Sequence, residues 1–116
     1  MQQNLSITQK QNGDIVIFSV SGKLDFSATP LLENKIKEII SEKQNKIILD
    51  FSNLSYISSP GLRLLLETSK MAKNFSGKLI IFGLQNFPLE IIKDSNFDYV
   101  LEIAETEEAA LNKFKS

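Results

Sequence analysis

The 116-residue sequence contains neither cysteine nor histidine. Without cysteine, the chain has no disulfide, no thiolate nucleophile and no thiolate metal site. Without histidine, a Ser-His-Asp or Cys-His catalytic arrangement is impossible, and so is a zinc or iron site built on imidazole ligands. Carboxylates, Lys, Arg, Tyr, Ser and Thr are the residue types that remain for chemistry. We therefore expect a binding or regulatory protein rather than an enzyme, with no cofactor and no bound metal.

A surplus of positive charge is also missing, because 13 Lys and Arg residues stand against 14 Asp and Glu residues. Proteins that bind nucleic-acid phosphates or anionic lipid carry such a surplus. No apolar run is long enough to cross a bilayer, and Met1 is not followed by a secretory signal pattern. We expect no nucleic-acid partner, no membrane partner and a cytoplasmic location. The apolar content of 42% suits one core, so residues 1–116 are predicted to form a single domain.

The first part of the chain predicts a β-hairpin. Apolar and polar residues alternate from Leu5, the turn residues 12–14 follow, and a β-rich run covers residues 15–20 and ends at Gly22. Strand and helix patterns then alternate. Helices are predicted to start at Thr29, Ser59, Asn86 and Thr106, buried strands to cover residues 46–51 and 78–82, and an edge strand to lie within residues 99–103. This order predicts an α/β fold with a mixed, mostly parallel sheet covered by helices.

Three loops are predicted to meet at one edge of that sheet, because the C-terminal ends of parallel strands share an edge. They are residues 22–29, 51–59 and 83–86. Neither a dinucleotide-binding glycine pattern nor a P-loop occurs in the sequence. Any functional site is expected at this edge, and it is not expected to bind a nucleotide.

Ser59 is the main candidate within these loops. At the N-cap of the long helix its hydroxyl would lie beside unpaired backbone N–H groups and the positive end of the helix dipole, which favour a phosphate. Serine is also a common N-cap, so Ser59 could simply start the helix, as Thr29 is expected to do before Pro30. Asp25, on the neighbouring loop, could position the Ser59 hydroxyl, bind a cation, contact a partner, or cap its own turn.

Two further features have structural interpretations. Asp50 ends a strand, as the phospho-accepting aspartate of response-regulator receivers does, but the acidic pair that holds Mg²⁺ in receivers is missing, so we expect an Asx-type turn over residues 50–53. In the long helix, a polar stripe contains Arg63, Glu67, Lys70 and Asn74. Leu64 and Phe75 lie off the apolar stripe, so either they cover a neighbouring helix or they help form an exposed apolar patch for a partner. Of the two, we favour packing.

The segments GKLD at residues 22–25 and ILDFSNLSYISSPGLRLL at residues 48–65 together resemble the anti-sigma factor antagonists. These proteins carry the domain named for sulfate transporters and anti-sigma factor antagonists, the STAS domain. The resemblance extends from Leu5 to Phe114 and includes the opening hairpin and the order of the elements. It implies a single STAS-like domain.

The resemblance also implies a function. In that family the serine at the position of Ser59 is phosphorylated by a serine kinase of histidine-kinase-like ATPase fold, which is itself the anti-sigma factor. The unphosphorylated antagonist binds this kinase and releases the sigma factor or another client, and a metal-dependent serine phosphatase restores the binding form. By the same resemblance Asp25, Ser58, Gly61 and Leu62 are expected to contact the partner. Ser58 and Pro60 depart from the usual family residues, and Pro60 removes one N–H from the helix start.

Two other functions remain open on the sequence. The chain could be a STAS subunit of a larger assembly, such as a stress complex or a lipid-transport apparatus, without phosphorylation. It could also be a small α/β enzyme or ligand-binding protein that uses Asp25, Ser58 and Ser59. Incubation with a cognate kinase and MgATP separates the first alternative from the phosphorylated antagonist.

Overall fold

The computed structural model describes residues 5–115, and these form a five-stranded sheet and four helices. The strands are β1 (Leu5–Asn12), β2 (Ile15–Leu24), β3 (Lys46–Ile57), β4 (Lys78–Phe82) and β5 (Glu102–Ala104). The helices are α1 (Thr29–Ser41), α2 (Ser59–Asn74), α3 (Asn86–Asp94) and α4 (Glu107–Asn112), with a 3-10 turn at Phe97–Tyr99 between α3 and β5. Among these residues no helix has both the length and the apolar character needed to cross a membrane.

The strands lie in the order β1-β2-β3-β4-β5. β1 pairs with β2 in antiparallel fashion, and the remaining neighbours are parallel. The central strands are apolar on both faces, as expected for parallel strands covered on two sides. Leu49 faces the core beneath α1, α2 and α3, whereas its neighbour Ile48 faces the smaller core beneath α4. The predicted α/β fold with a mixed, mostly parallel sheet is confirmed.

β2 and β3 are both longer than the sequence predicts. β2 continues through Gly22, which has a positive φ of 105°, to Leu24. β3 continues through residues 52–57, so the predicted loop there is wrong. The pairing of these strands shifts register between Ser19 and Ser21 and again after Gly22. Such irregularities let a strand accept turn-type residues while keeping most of its ladder, which explains why this segment has the composition of a loop.

The predicted helices are present, with changes at their ends. Thr106 caps α4 as predicted, since its hydroxyl accepts the N–H of Ala109 at 3.1 Å. In α2 the predicted polar stripe is exposed, and Leu64 is buried as expected. The packing predicted for Phe75 is wrong, because this side chain is 59% exposed. Phe75 follows the last residue of α2 and lines a shallow hollow with Ile40 of α1 instead of packing into the core.

Candidate functional site

The C-terminal ends of β2, β3 and β4 meet at one edge of the sheet, as predicted. The Ser58 N–H donates to the Leu24 carbonyl oxygen at 2.9 Å and so joins the ends of β2 and β3. On the other side, the Gln85 side-chain amide donates to the Ser52 carbonyl oxygen at 2.6 Å. We call this region the Ser59 edge; it comprises the β2–α1 loop, the end of β3 with the start of α2, and the β4–α3 loop.

Ser58, and not Ser59, is the N-cap of α2. Its backbone is extended, with φ −84° and ψ 171°, and its Oγ accepts the N–H of Gly61 at 3.2 Å. The Ser58 carbonyl accepts the N–H of Leu62 at 2.9 Å. The prediction of Ser59 as the cap is therefore wrong by one residue. Because the bond to Leu24 holds Ser58 in the extended conformation that an N-cap requires, the helix begins at the next residue.

Because Ser58 is the cap, the hydroxyl of Ser59 is not used to cap the helix. Ser59 is the first residue of α2 and is exposed. Within residues 5–115 its hydroxyl makes no hydrogen bond. Pro60 occupies the next position, where a missing N–H costs little because the first N–H groups of a helix have no partner inside the helix. Ser59 thus presents its Oγ to solvent at the positive end of a helix dipole.

Asp25 caps the start of α1. Its Oδ1 accepts the N–H of Ala28 at 2.9 Å and the hydroxyl of Ser27 at 3.2 Å. Its carbonyl oxygen accepts the Thr29 hydroxyl at 2.7 Å. The predicted N-cap at Thr29 is therefore wrong: Ala28 holds that position and the Asp25 carboxylate supplies the capping oxygen. Asp25 directly follows Leu24, so this carboxylate lies at the same edge as Ser59.

Gly61 and Leu62 form the buried base of the Ser59 edge. A Cβ atom on Gly61 would lie 3.0 Å from Leu24 Cδ2 and 3.1 Å from Ile57 Cγ2, so the missing side chain lets α2 pack closely on β2 and β3. Leu62 and Ser58 are each only 7% exposed. Asp25, Ser58, Ser59 and Gly61 thus lie together at one edge, with Ser59 exposed and Ser58 and Gly61 buried. The partner contacts predicted for these residues stay predictions.

Two exposed residues at this edge, Phe26 and Arg63, were not assigned to the candidate site from the sequence. Phe26 is 79% exposed and lines a groove of about 300 Å³ with Pro60 and Arg63. Arg63 also lines a second hollow with Ser59, one helical turn away. The spacing of four residues between Ser59 and Arg63 is visible in the sequence and could have identified the pair. No sequence signal predicts the exposure of Phe26, because an aromatic residue in a loop usually packs inward.

Aromatic side chains continue along the edge beyond Ser59. The rings of Tyr56, at the end of β3, and Phe87, in the first turn of α3, are stacked with centroids 6.2 Å apart. Both side chains are exposed. Exposed aromatic side chains are the residue type that most often anchors protein–protein contacts.

Asp50 has the hydrogen bonding that the sequence predicts, although it lies within β3 and not in a turn. Its Oδ1 accepts the Ser52 N–H at 3.0 Å, and its Oδ2 accepts the Ser19 hydroxyl at 3.2 Å. Among residues 5–115 there is no cluster of three or more His, Cys, Asp or Glu side chains that could hold a metal ion. The arrangement of Asp50 is consistent with a structural role.

Comparison with known proteins gives a consistent result. Residues 6–110 match the family model of the STAS domain. The anti-sigma F factor antagonist of Paenibacillus polymyxa is 25% identical over 114 residues, which cover 97% of each chain. An anti-sigma factor antagonist structure from Mycobacterium paratuberculosis has a TM-score of 0.87 at 20% identity and covers 97% of this chain and 95% of its own. The phosphorylated form of the Bacillus cell fate determinant SpoIIAA has a TM-score of 0.73 at 22% identity, with coverage of 95% and 100%.

Proposed function

The chain belongs to the STAS domain family, and on that premise we propose that it is an anti-sigma factor antagonist switched by phosphorylation of Ser59. The resemblance found in the sequence and the fold that it implies are confirmed. The observation that carries the proposal is that two adjacent serines have different structural roles. Ser58 supplies the helix cap, whereas the Ser59 hydroxyl is exposed and makes no hydrogen bond within residues 5–115.

The position of Ser59 suits a phosphate. A phosphoserine carries a charge of about −1.5 to −2 at neutral pH, and a helix N-terminus favours negative charge. In the first turn of α2, Pro60 has no N–H and the N–H of Gly61 is bonded to Ser58. The phosphate would therefore remain largely in solvent instead of folding back onto several backbone donors. Phosphorylation is expected to leave the fold unchanged.

The same phosphate would oppose docking of a partner on the Ser59 edge. A partner that covers Ser59 must remove the phosphate from water, and it meets the Asp25 carboxylate at the same edge. Removing such a charge from water costs several kcal/mol even with Arg63 one helical turn away. The unphosphorylated form, with a neutral hydroxyl at this place, is the binding form. This direction of switching supports the proposed role of an antagonist that captures an anti-sigma factor only when it is dephosphorylated.

The proposed partners follow from this switch. An anti-sigma factor that is also a serine kinase of histidine-kinase-like ATPase fold would phosphorylate Ser59, and a metal-dependent serine phosphatase would reverse the reaction. We propose that the chain acts in the cytoplasm by binding and has no turnover of its own. The chemistry of phosphoryl transfer would be supplied by the kinase.

Kinase incubation followed by mapping of the phosphosite tests the proposal. The protein is incubated with MgATP and the anti-sigma kinases of its own genome, and phosphopeptides are identified by mass spectrometry. We expect one phosphate on Ser59 and none on Ser59→Ala. Ser58→Ala is the matched control: it lacks the neighbouring hydroxyl and keeps the acceptor, so it should still be modified. Phosphate on Ser58 of the wild type, or no phosphate with any of these kinases, would overturn the switch.

A further inference from the structure

A second surface of α2 carries features that the proposed switch does not use. A groove of about 500 Å³ lies between α2 and the segment that follows α3. Its apolar wall is formed by Leu66, Phe97 and Val100, and Val100 is half-exposed. The groove shares Leu66 and Phe97 with the smaller hollow of about 270 Å³ that contains Ser59.

Ser69 contributes to the lining of this groove a hydroxyl without a protein partner in the part of the chain described. The side chain lines the groove and is only 5% exposed. Among the residues that the structure describes, the Ser69 hydroxyl makes no hydrogen bond. Ser95, in the same groove, behaves differently, because its hydroxyl donates to the Ile91 carbonyl oxygen at 2.9 Å. Among the described residues the fully buried side-chain oxygen without a partner is Thr68 Oγ1. The Ser69 hydroxyl therefore keeps some access to the groove, where a ligand carboxylate would accept its hydrogen bond.

The groove also carries positive charge in a chain with a net charge of −1. Lys70 and Lys73 line it, and no Asp or Glu does so in the part of the chain described. Neither lysine is within ion-pairing distance of a carboxylate among residues 5–115. Glu67, the acidic residue nearest to Lys70 in sequence, lines the Phe26 groove instead. Two ammonium groups and a hydroxyl that line one groove offer hydrogen-bond donors to an anionic head group.

We propose that this groove binds a single-chain amphipathic anion of the fatty carboxylate class. The carboxylate is held by Lys70, Lys73 and the Ser69 hydroxyl, and the acyl chain lies along Leu66, Phe97 and Val100. Ser69 is 5% exposed whereas Lys70 and Lys73 are exposed, so the Ser69 hydroxyl lies deeper in the groove than the two ammonium groups. A slender carboxylate head reaches this depth more readily than the backbone of a helix about 10 Å wide, which favours a lipid over a helix of a partner protein.

Calorimetric titration tests the site with ligands in which the head group and the acyl chain are varied one at a time. Dodecanoate below its micelle concentration is compared with dodecyltrimethylammonium, which has the same chain and the opposite charge, and with acetate, which lacks the chain. We expect dodecanoate alone to bind. Since about half of the chain surface would stay in water, the affinity should rise roughly twofold for each methylene added from octanoate upward. Equal binding of the cationic analogue, or no binding of dodecanoate, would overturn the proposal.

Two variants locate the head group. Lys70→Gln combined with Lys73→Gln should lower the dodecanoate affinity about fivefold, whereas Lys35→Gln with Lys37→Gln, the same charge change on α1, should leave it unchanged. Ser69→Ala should lower the affinity about tenfold without lowering the melting temperature, because the hydroxyl it removes has no partner within the described protein. Full affinity in both groove variants would show that the anion binds elsewhere and would refute the assignment. Binding of an acidic amphipathic peptide in place of dodecanoate would assign the groove to a protein partner and would also refute it.

Discussion

The N–H of Ser58 donates to the carbonyl oxygen of Leu24 at 2.9 Å, and this bond fixes the start of α2 against the end of β2. This bond positions the residue that follows Ser58 and the residue that follows Leu24. Ser58 is held extended and becomes the cap, so that Ser59 enters the first turn with its hydroxyl in solvent. Asp25, the residue after Leu24, is brought to the same edge, where its carboxylate caps α1. One backbone bond therefore determines which of two adjacent serines is structural and which is exposed for modification.

The two serines should differ in their effect on stability. Ser58→Ala removes the oxygen that accepts the Gly61 N–H, and we expect the free energy of unfolding to fall by about 1 kcal/mol, within the range of about 0.5–2 for a lost cap. Ser59→Ala removes an exposed hydroxyl that has no partner among residues 5–115, so the change should stay below about 0.5 kcal/mol. Urea unfolding followed by circular dichroism measures both. A larger loss for Ser59→Ala than for Ser58→Ala would show that the cap is misassigned.

The sequence predicts an element of this fold well where neighbouring residues determine it, and poorly where contacts with distant residues do. β4 is predicted with its observed bounds, because a short apolar run between glycines has few alternatives. The end of β3 is missed, because its Ser and Asn residues are typical of turns and only the pairing with β2 makes them a strand. Phe75 is misplaced for a similar reason, since periodicity indicates a face of a helix but does not show whether a neighbour covers it.

The meeting of the candidate residues at one edge was predicted correctly, whereas the residues that cap α1 and α2 were not. Topology places Asp25 and Ser59 together, because parallel strands end on the same side of the sheet. The sequence alone does not show whether Ser58 or Ser59 is the cap, because serine at either position is a good N-cap. The hydrogen bond that Ser58 donates to Leu24, more than thirty residues away in the chain, decides between them. The exposure of Phe26 depends equally on non-local packing.

Arg63 should stabilise a negative charge on Ser59. The two residues are four apart on α2 and line the same hollow, the geometry in which an acidic and a basic side chain interact on a helix. Ser59→Glu should raise the free energy of unfolding by about 0.5–1 kcal/mol at low salt through the dipole and this pair. About 0.3–0.5 kcal/mol of that gain should disappear in Ser59→Glu with Arg63→Gln, or in high salt. A double-mutant cycle measures the coupling, and a coupling of zero at low salt would contradict the pairing.

Phe26 should be an anchor for the partner. An aromatic side chain that is 79% exposed contributes little to the core, so Phe26→Ala should change the free energy of unfolding by less than about 0.5 kcal/mol. The affinity of the Phe26→Ala variant for the anti-sigma kinase should fall at least about thirtyfold. Losses of this size are typical when an aromatic side chain is removed from the buried centre of an interface. Phe75→Ala is the control, because Phe75 is also exposed but lies at the opposite end of α2. Equal losses of affinity in the two variants, measured by calorimetry, would show that Phe26 has no special role.

The charge at Ser59 should decide whether the partner binds. Ser59→Ala and the wild type should bind the anti-sigma kinase with affinities within about threefold of each other, because the hydroxyl makes no contact that folding needs. Ser59→Asp should fold at least as well, since an acidic residue suits the first turn of a helix, and should bind more than about a hundredfold more weakly. The introduced carboxylate must be removed from water beside Asp25, and this desolvation costs several kcal/mol even with Arg63 one helical turn away.

Ser59→Asn separates charge from size in this experiment. Asparagine has nearly the same shape as aspartate and no charge, so its affinity should be closer to that of Ser59→Ala than to that of Ser59→Asp. If Ser59→Asn binds as weakly as Ser59→Asp, steric exclusion and not charge controls the interface, and the phosphate would act by its bulk. If all variants bind equally well while remaining folded by circular dichroism, Ser59 lies outside the interface. Calorimetric titration at two salt concentrations adds a second criterion, because only the penalty from a charge should shrink as ionic strength rises.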